Sequence, residues 1–279
     1  MTPLPALILT HEDAVRIERP ENDAWLDMYA AMPDTFRREF GADIVDIDGV
    51  LVTRCKALPF VHFNAALSLG LHAPATEQAL DDVMDAYRRL DIRRFTVLHH
   101  EHCRPPELPQ WLVMRGFEPR AGWDRVHRLA GPPLPDAPPS RGEIGFVTTA
   151  DAGAWASFLV GMYRLPTEPW LRALVGRAGW THAVLTRGGV IVAARSLFVN
   201  TSGEAWLGVE APVPGIMAPS FDDDHVLIDA LMREALRLGA TTFTADVELP
   251  HDGRATPPYT RWRELGFGHA YRRTHFLIG

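Results

Sequence analysis

Two pairs of segments in this 279-residue chain repeat one another. ALDDVMDAYRRLDIRRFTV, residues 79–97, parallels VLIDALMREALRLGATTFTA, residues 226–245; QWLVMRGFEPRAGWDRVHRL, residues 110–129, parallels RWRELGFGHAYRRTHFL, residues 261–277. Phe95 matches Phe243, and Gly116-Phe117 matches Gly266-Phe267 at nearly the same separation. Each copy reads as an amphipathic helix, a strand, a short helix and a further strand, which constrains the chain to two α/β halves of like plan. Residues 130–142, AGPPLPDAPPSRG, hold five prolines and two glycines with almost no apolar bulk, the composition of a linker. The expected division is an N-terminal domain over 1–130, a linker over 131–142 and a C-terminal domain over 143–279.

Local signals fill in the halves. Residues 11–30 are loosely helical, and Pro20 is expected to break or restart that helix because it lacks an N–H and clashes with the preceding turn. Asp48-Gly49 and Gly188-Gly189 each join two β-rich runs, as hairpin turns do. Thr76 opens a helix with acid at its start and Arg88-Arg89 at its end. Later come a strand from Glu204 to Val209, a loop with Pro212, Pro214 and Pro219, and a helix starting near Asp222. Ser220 and Asp223 have capping-box spacing, and Asp222, Asp223 and Asp224 complement the positive end of the helix dipole.

A net charge of −7 with no basic stripe argues against a nucleic-acid partner, and no apolar run reaches the length of a membrane span. The first residues lack the basic start and apolar core of a signal peptide, so a cytoplasmic protein is expected. Cys55 and Cys103 are too few for a disulfide framework or a structural zinc site. The run HHEHC, His99 to Cys103, gathers metal-binding residue types, but adjacent ligands on one loop rarely converge on one ion, and no metal is expected.

The closing segment PPYTRWRELGFGHAYRRTHFLI and the strand end GVEAPVPG, within the element order of residues 143–279, resemble the GNAT superfamily of acyl-CoA N-acyltransferases. Residues 43–130 resemble it in part, so the whole is similar to tandem GNAT proteins in which one half is degenerate. The resemblance implies an α/β (α+β) fold of two tandem domains, each with a mixed, mostly antiparallel sheet flanked by helices. It implies transfer of an acetyl or other acyl group from acyl-CoA, acetyl-CoA in the simplest case, to an amine of a small molecule or peptide. In that family the pantetheine arm pairs with the central strand where the sheet splays, and backbone N–H groups at a helix start hold the pyrophosphate.

Carried onto this chain, the resemblance makes the backbone of Val209 and Ala211 the pantetheine edge, with Gly215 and Trp262 as further cofactor contacts. Glu210 becomes the candidate base. The family's usual Tyr falls at Trp262, which leaves Tyr259, one turn earlier, as the candidate acid. Tyr163 and Trp170 are the candidate substrate contacts. The chain departs from the family where Asp222, Asp223 and Asp224 occupy the phosphate loop, since carboxylates repel a polyphosphate and a capping Asp would take its N–H donors. A catalytically inactive GNAT-fold binding protein is therefore the rival reading. A homodimer is compatible with either.

Overall fold

The computed structural model describes residues 4–58, 60–136, 139–214, 216–217, 221–248 and 259–279. It divides into two compact units. The N unit comprises Leu9–Trp123 and Tyr271–Gly279; the C unit comprises Asp124–Ala270 and the segment ending at Ile8. Besides the one after Ile8, the boundaries fall inside β-strands, at 123/124 and 270/271, rather than in the Pro-rich stretch 131–142.

The N unit begins with helix α1, His11–Ala30, whose Thr10 and Asp13 form a reciprocal capping box. The helix runs through Pro20 without a break, contrary to the sequence expectation. Pro20 and its neighbours Glu18, Glu21 and Asn22 are all buried, so tertiary packing holds the turn that the proline weakens. Helix α2, Asp34–Phe40, precedes the hairpin β1, Ala42–Ile47, and β2, Val50–Cys55. Its turn residues Asp48 and Gly49 both have positive φ, 51° and 85°, as a two-residue hairpin loop requires. Strand β3, Ala65–Leu67, helix α3, Glu77–Arg88, strand β4, Phe95–His99, and helix α4, Leu108–Met114, follow.

Strand β5, Glu118–Leu129, carries the chain into the C unit. There β6, Glu143–Phe146, α5, Ala152–Tyr163, α6, Glu168–Leu174, and the hairpin β7, Trp180–Arg187, and β8, Val190–Val199, come next. Strand β9, Glu204–Ala211, helix α7, Asp222–Arg237, strand β10, Thr242–Val247, and helix α8, Tyr259–Glu264, complete that unit's run. Strand β11, Gly268–Ile278, returns the chain to the N unit.

The strands of the two units share one pairing plan. In the N unit the order is β1-β2-β3-β4-β11, antiparallel except for β3 beside β4. In the C unit the order is β6-β7-β8-β9-β10-β5, antiparallel except for β9 beside β10. The strand that closes each sheet comes from the other half of the chain: β5 pairs with β10 from Asp124 onward, and β11 pairs with β4 from Thr274 onward. Helices α3 and α7 bury matching apolar stripes in the two cores, Leu80, Val83, Met84 and Tyr87 in one and Leu227, Ile228, Leu231 and Ala235 in the other.

Candidate active site

The single parallel pair of the C unit is where its sheet opens. Strands β9 and β10 stay in register from Glu204↔Thr242 to Leu207↔Ala245 and pair no further. Beyond that point β10 continues against β5 through Val247↔Asp124, and β9 continues against β8 to Ala211↔Ala194. Each strand keeps its outer neighbour and loses its inner one, so a gap opens between them.

A β-bulge shapes the wall of this gap. Ser196 pairs with Gly208 and Ala194 with Ala211, so two steps along β8 match three along β9. Val209 takes up the extra residue at φ 50°, a left-handed conformation that β-branched residues rarely adopt. In an unbroken ladder Glu210 would stand opposite Ala194; the bulge instead sets Val209 and Glu210 together across from Arg195. The adjoining cleft is lined by Arg195, Glu210, Val213, Pro214, Asp224, Asp246, Val247, Glu248 and Trp262.

The charges in the cleft are tightly organised. Arg195 is 2% exposed; its Nη1 donates to Asp224 Oδ1 at 2.5 Å, and its Nη2 lies 4.0 Å from Glu210 Oε2. Its guanidinium lies 5.6 Å from the centre of the Trp262 ring. Glu248, just past β10, is pushed up to about 8, first by burial and then by the Glu210 carboxylate, with Arg195 opposing. Burial likewise raises Glu210, against the pull of Arg195. Asp246 pairs with the buried Arg125 at 3.1 Å.

The acidic start of α7 differs from the sequence expectation. The N-cap is Phe221, no side chain caps the helix, and Ser220 lies outside the described residues. The three carboxylates instead reach arginines on three elements: Asp222 to Arg261 of α8, Asp223 to Arg187 of β7, and Asp224 to Arg195 of β8. Their charge is thereby offset by three arginines.

Of the residues singled out from sequence, Glu210 and Trp262 line the cleft, and Val209 and Ala211 form its strand edge. The Tyr163 hydroxyl, from the end of α5, donates to the Glu210 carbonyl, and desolvation followed by Glu210 and Glu248 holds its phenol well above the ordinary range. Gly215 lies outside the described residues. Tyr259 donates to the Asp124 carboxylate, which also lies 3.3 Å from His269 Nε2, and it does not line the cleft. Trp170, on α6, is 1% exposed and is not among the described residues that line the cleft. Arg195 and Glu248 were not singled out. The ARSLF run around Arg195 reads as ordinary hairpin alternation, and Glu248 gains its meaning only from the parting of two strands far apart in sequence.

The N unit repeats this geometry without its chemistry. The parallel pairing of β3 and β4 ends at Ala66↔Val97, and two residues beyond Ala66 stands a left-handed residue, Ser68 at φ 66°, just as Val209 stands two beyond Leu207. The residue matching Glu210 is Leu69, 1% exposed. The residue matching Glu248 is His100, whose ring stacks on Tyr271 at 4.2 Å. The loop after β3 is bonded to the HHEHC segment's continuation, with Arg104 N to Gly70 O and Ala75 N to Arg104 O both at 2.8 Å. A Cβ on Gly70 would come within 2.3 Å of the Arg104 carbonyl oxygen, so only glycine permits this closure. Within the HHEHC run itself, Cys103 is buried and its thiol is pushed up to about 12.

No family profile matches the chain, and no curated protein matches it. Solved structures do. A GCN5-related N-acetyltransferase from Kribbella flavida aligns over 94% of this chain and 95% of its own, at 15% identity and a TM-score of 0.59. A GCN5-related N-acetyltransferase from Sphaerobacter thermophilus covers 96% and 92%, at 16% identity and a TM-score of 0.53. The chain has the GNAT fold. A functionally unknown conserved protein from Staphylococcus epidermidis is similar as well, over 87% of this chain at 9% identity and a TM-score of 0.55. In GNAT terms, the gap between β9 and β10 is the splay expected beside the central strand. No helix among the described residues is long and apolar enough to cross a membrane.

Proposed function

We propose that the chain is an N-acyltransferase that moves an acetyl or other acyl group from acyl-CoA to an amine of a small molecule or peptide, and that the C unit is the active one. The observation that carries this reading is the opening between β9 and β10, where their pairing ends at Leu207↔Ala245 beside two raised carboxyl groups, Glu210 and Glu248. The side of Val209–Ala211 turned away from β8 would face the pantetheine arm, Trp262 and Gly215 would flank the donor, and the start of α7, where the N-cap Phe221 offers no side-chain cap, would turn its N–H groups toward the phosphates. Bound acyl-CoA would supply the thioester carbon at which a new C–N bond replaces the C–S bond.

The chain's own part is proton transfer and placement. An ammonium must lose a proton before its nitrogen can attack, and a carboxyl titrating near 8 accepts one at close to working pH. The Glu210–Glu248 pair is therefore the base, with the titration belonging to the pair. Tyr163 at the cleft mouth is the substrate contact. Tyr259, held by Asp124, anchors α8 and the Trp262 it carries. The N unit takes no donor in this reading, because Leu69 replaces the carboxylate and its own backbone fills the gap.

Thermal-shift titration with acetyl-CoA tests the reading. Ligand at about a hundred times its Kd stabilises the folded state by roughly 2.7 kcal/mol and should raise the melting temperature by several degrees. The absence of any shift at millimolar ligand would overturn it and leave the inactive GNAT-fold binding protein.

A further inference from the structure

We propose that Arg195 is the positioning residue of this site: its guanidinium, shared between Asp224 and Glu210, keeps the Glu210 carboxylate charged and leaves Glu248 as the group that exchanges a proton with the acceptor amine. This assignment of roles rests on the acyltransferase reading of the cleft, but its geometry does not. Three features place the guanidinium. The β9 bulge turns Glu210 to the Arg195 side of the sheet. The Trp262 ring flanks the guanidinium at 5.6 Å, and Asp224, at the start of α7, takes Nη1 at 2.5 Å. What remains for Glu210 is Nη2 at 4.0 Å, a charge contact rather than a hydrogen bond.

The other charged groups around the cleft are committed elsewhere. Arg125 of β5 pairs with Asp246 of β10; Arg261 of α8 pairs with Asp222 and Glu264; Arg187 of β7 pairs with Asp223. Tyr163 of α5 is neutral, with its hydroxyl on the Glu210 carbonyl. Among the described cleft residues Arg195 is thus the cation, and Glu210 is the one of the two carboxylates within 4.0 Å of it. With Glu210 charged, removing the proton from Glu248 places a second negative charge in the gap. That is the energetic reason for Glu248 to titrate last, and hence near the pH at which an amine needs a base.

Asp224 makes the assignment adjustable. It draws on the same guanidinium, and it also faces Glu210 as a like charge. Removing Asp224 should therefore ease ionisation of the carboxylate pair, whereas removing Arg195 should hinder it. A merely structural role for Arg195 gives no reason for the two substitutions to act in opposite directions.

The test is ¹³C-carboxyl NMR titration of Glu210 and Glu248 in the ligand-free protein, alongside the pH profile of kcat/KM. In the unaltered chain Glu210 should titrate below Glu248. In R195Q both titrations, and the acid limb of the profile, should move up by about one pH unit or more, the size expected on losing an opposite charge within about 4–6 Å. R195K should restore part of the shift. D224N should move them down. A D224N/R195Q double variant removes the buried pair together and covers the case in which R195Q alone fails to fold. Equal titration of Glu210 and Glu248 in the unaltered chain, or shifts of the same sign in R195Q and D224N, would overturn the proposal. The NMR arm needs no turnover, so a protein with no acyltransferase activity would still show whether Arg195 orders the two carboxyls.

Discussion

At the scale of single residues, the cleft concentrates cost as well as chemistry. Burial lifts Glu248 from its ordinary 4.5 to about 8, so the folded state keeps a proton that the unfolded chain releases above about pH 4.5. The stability this contributes is whole below that pH and is lost as pH rises toward 8. Replacing Glu248 by Gln should therefore flatten the fall in melting temperature between pH 5 and pH 9, by roughly 2–4 °C for each kcal/mol of ionisation cost removed. An unchanged slope would show that Glu248 is not the buried titrating group. Substituting Asn at Asp222 and Asp223 should release Arg261 and Arg187 toward a phosphate and tighten coenzyme A binding about three- to tenfold in calorimetry. Unchanged or weaker binding would show that the α7 start is not near the phosphates. Glu210 was legible because the resemblance implies a carboxylate near the central strand and the prolines that follow mark where that strand ends. Arg195 was not, because its partners, Asp224 and Glu210, join it only through a bulge and a helix start that no local pattern encodes.

The elements themselves were largely legible, since each rests on short-range signals. Thr76 caps α3 by accepting from Ala79 N at 3.0 Å, and Gly188 and Gly189 turn the β7–β8 hairpin with φ of 57° and 78°. The failures have physical causes. Pro20 sits inside α1 because its surroundings are buried and bonded, Arg273 to Glu21 and Tyr271 to Glu18, a tertiary hold that outweighs a local penalty. Trp170 was expected at the substrate side because the resemblance draws acceptor contacts from the paired helices, yet its indole is buried, 1% exposed. The β9 bulge is the element on which the site depends. Val209 holds a left-handed conformation that costs a β-branched residue about 1–2 kcal/mol, so Val209→Gly should raise stability by about 1 kcal/mol in denaturant titration while leaving the site's register intact. Gly208 is the opposite case. A Cβ there would lie 2.2 Å from the Trp206 indole, so Gly208→Ala should destabilise the bulge by about 1–3 kcal/mol.

For the molecule as a whole, the repeat in the sequence pointed to two units whose strands pair on one plan, but not to the exchange of β5 and β11 between the halves of the chain. The Pro-rich segment looked like a domain boundary because its composition cannot form a core, whereas the compact units change over within β5 and β11. Expressing residues 143–279 alone would remove Asp124–Leu129 from beside β10 and leave Tyr271–Ile278 without β4, so that fragment should be insoluble or molten. Proteolytic nicking within 131–142 should leave both units folded, with no loss of melting cooperativity. A soluble, cooperatively melting 143–279 fragment would contradict this account of the closing strands. The exchange also sets an order on biosynthesis. The N unit is translated almost entirely first, yet β4 waits with one edge open until Thr274–Ile278 have left the ribosome. Through the making of the intervening strands and helices, that edge is exposed to any passing strand, and residues synthesised about 175 positions later are the ones that shut it.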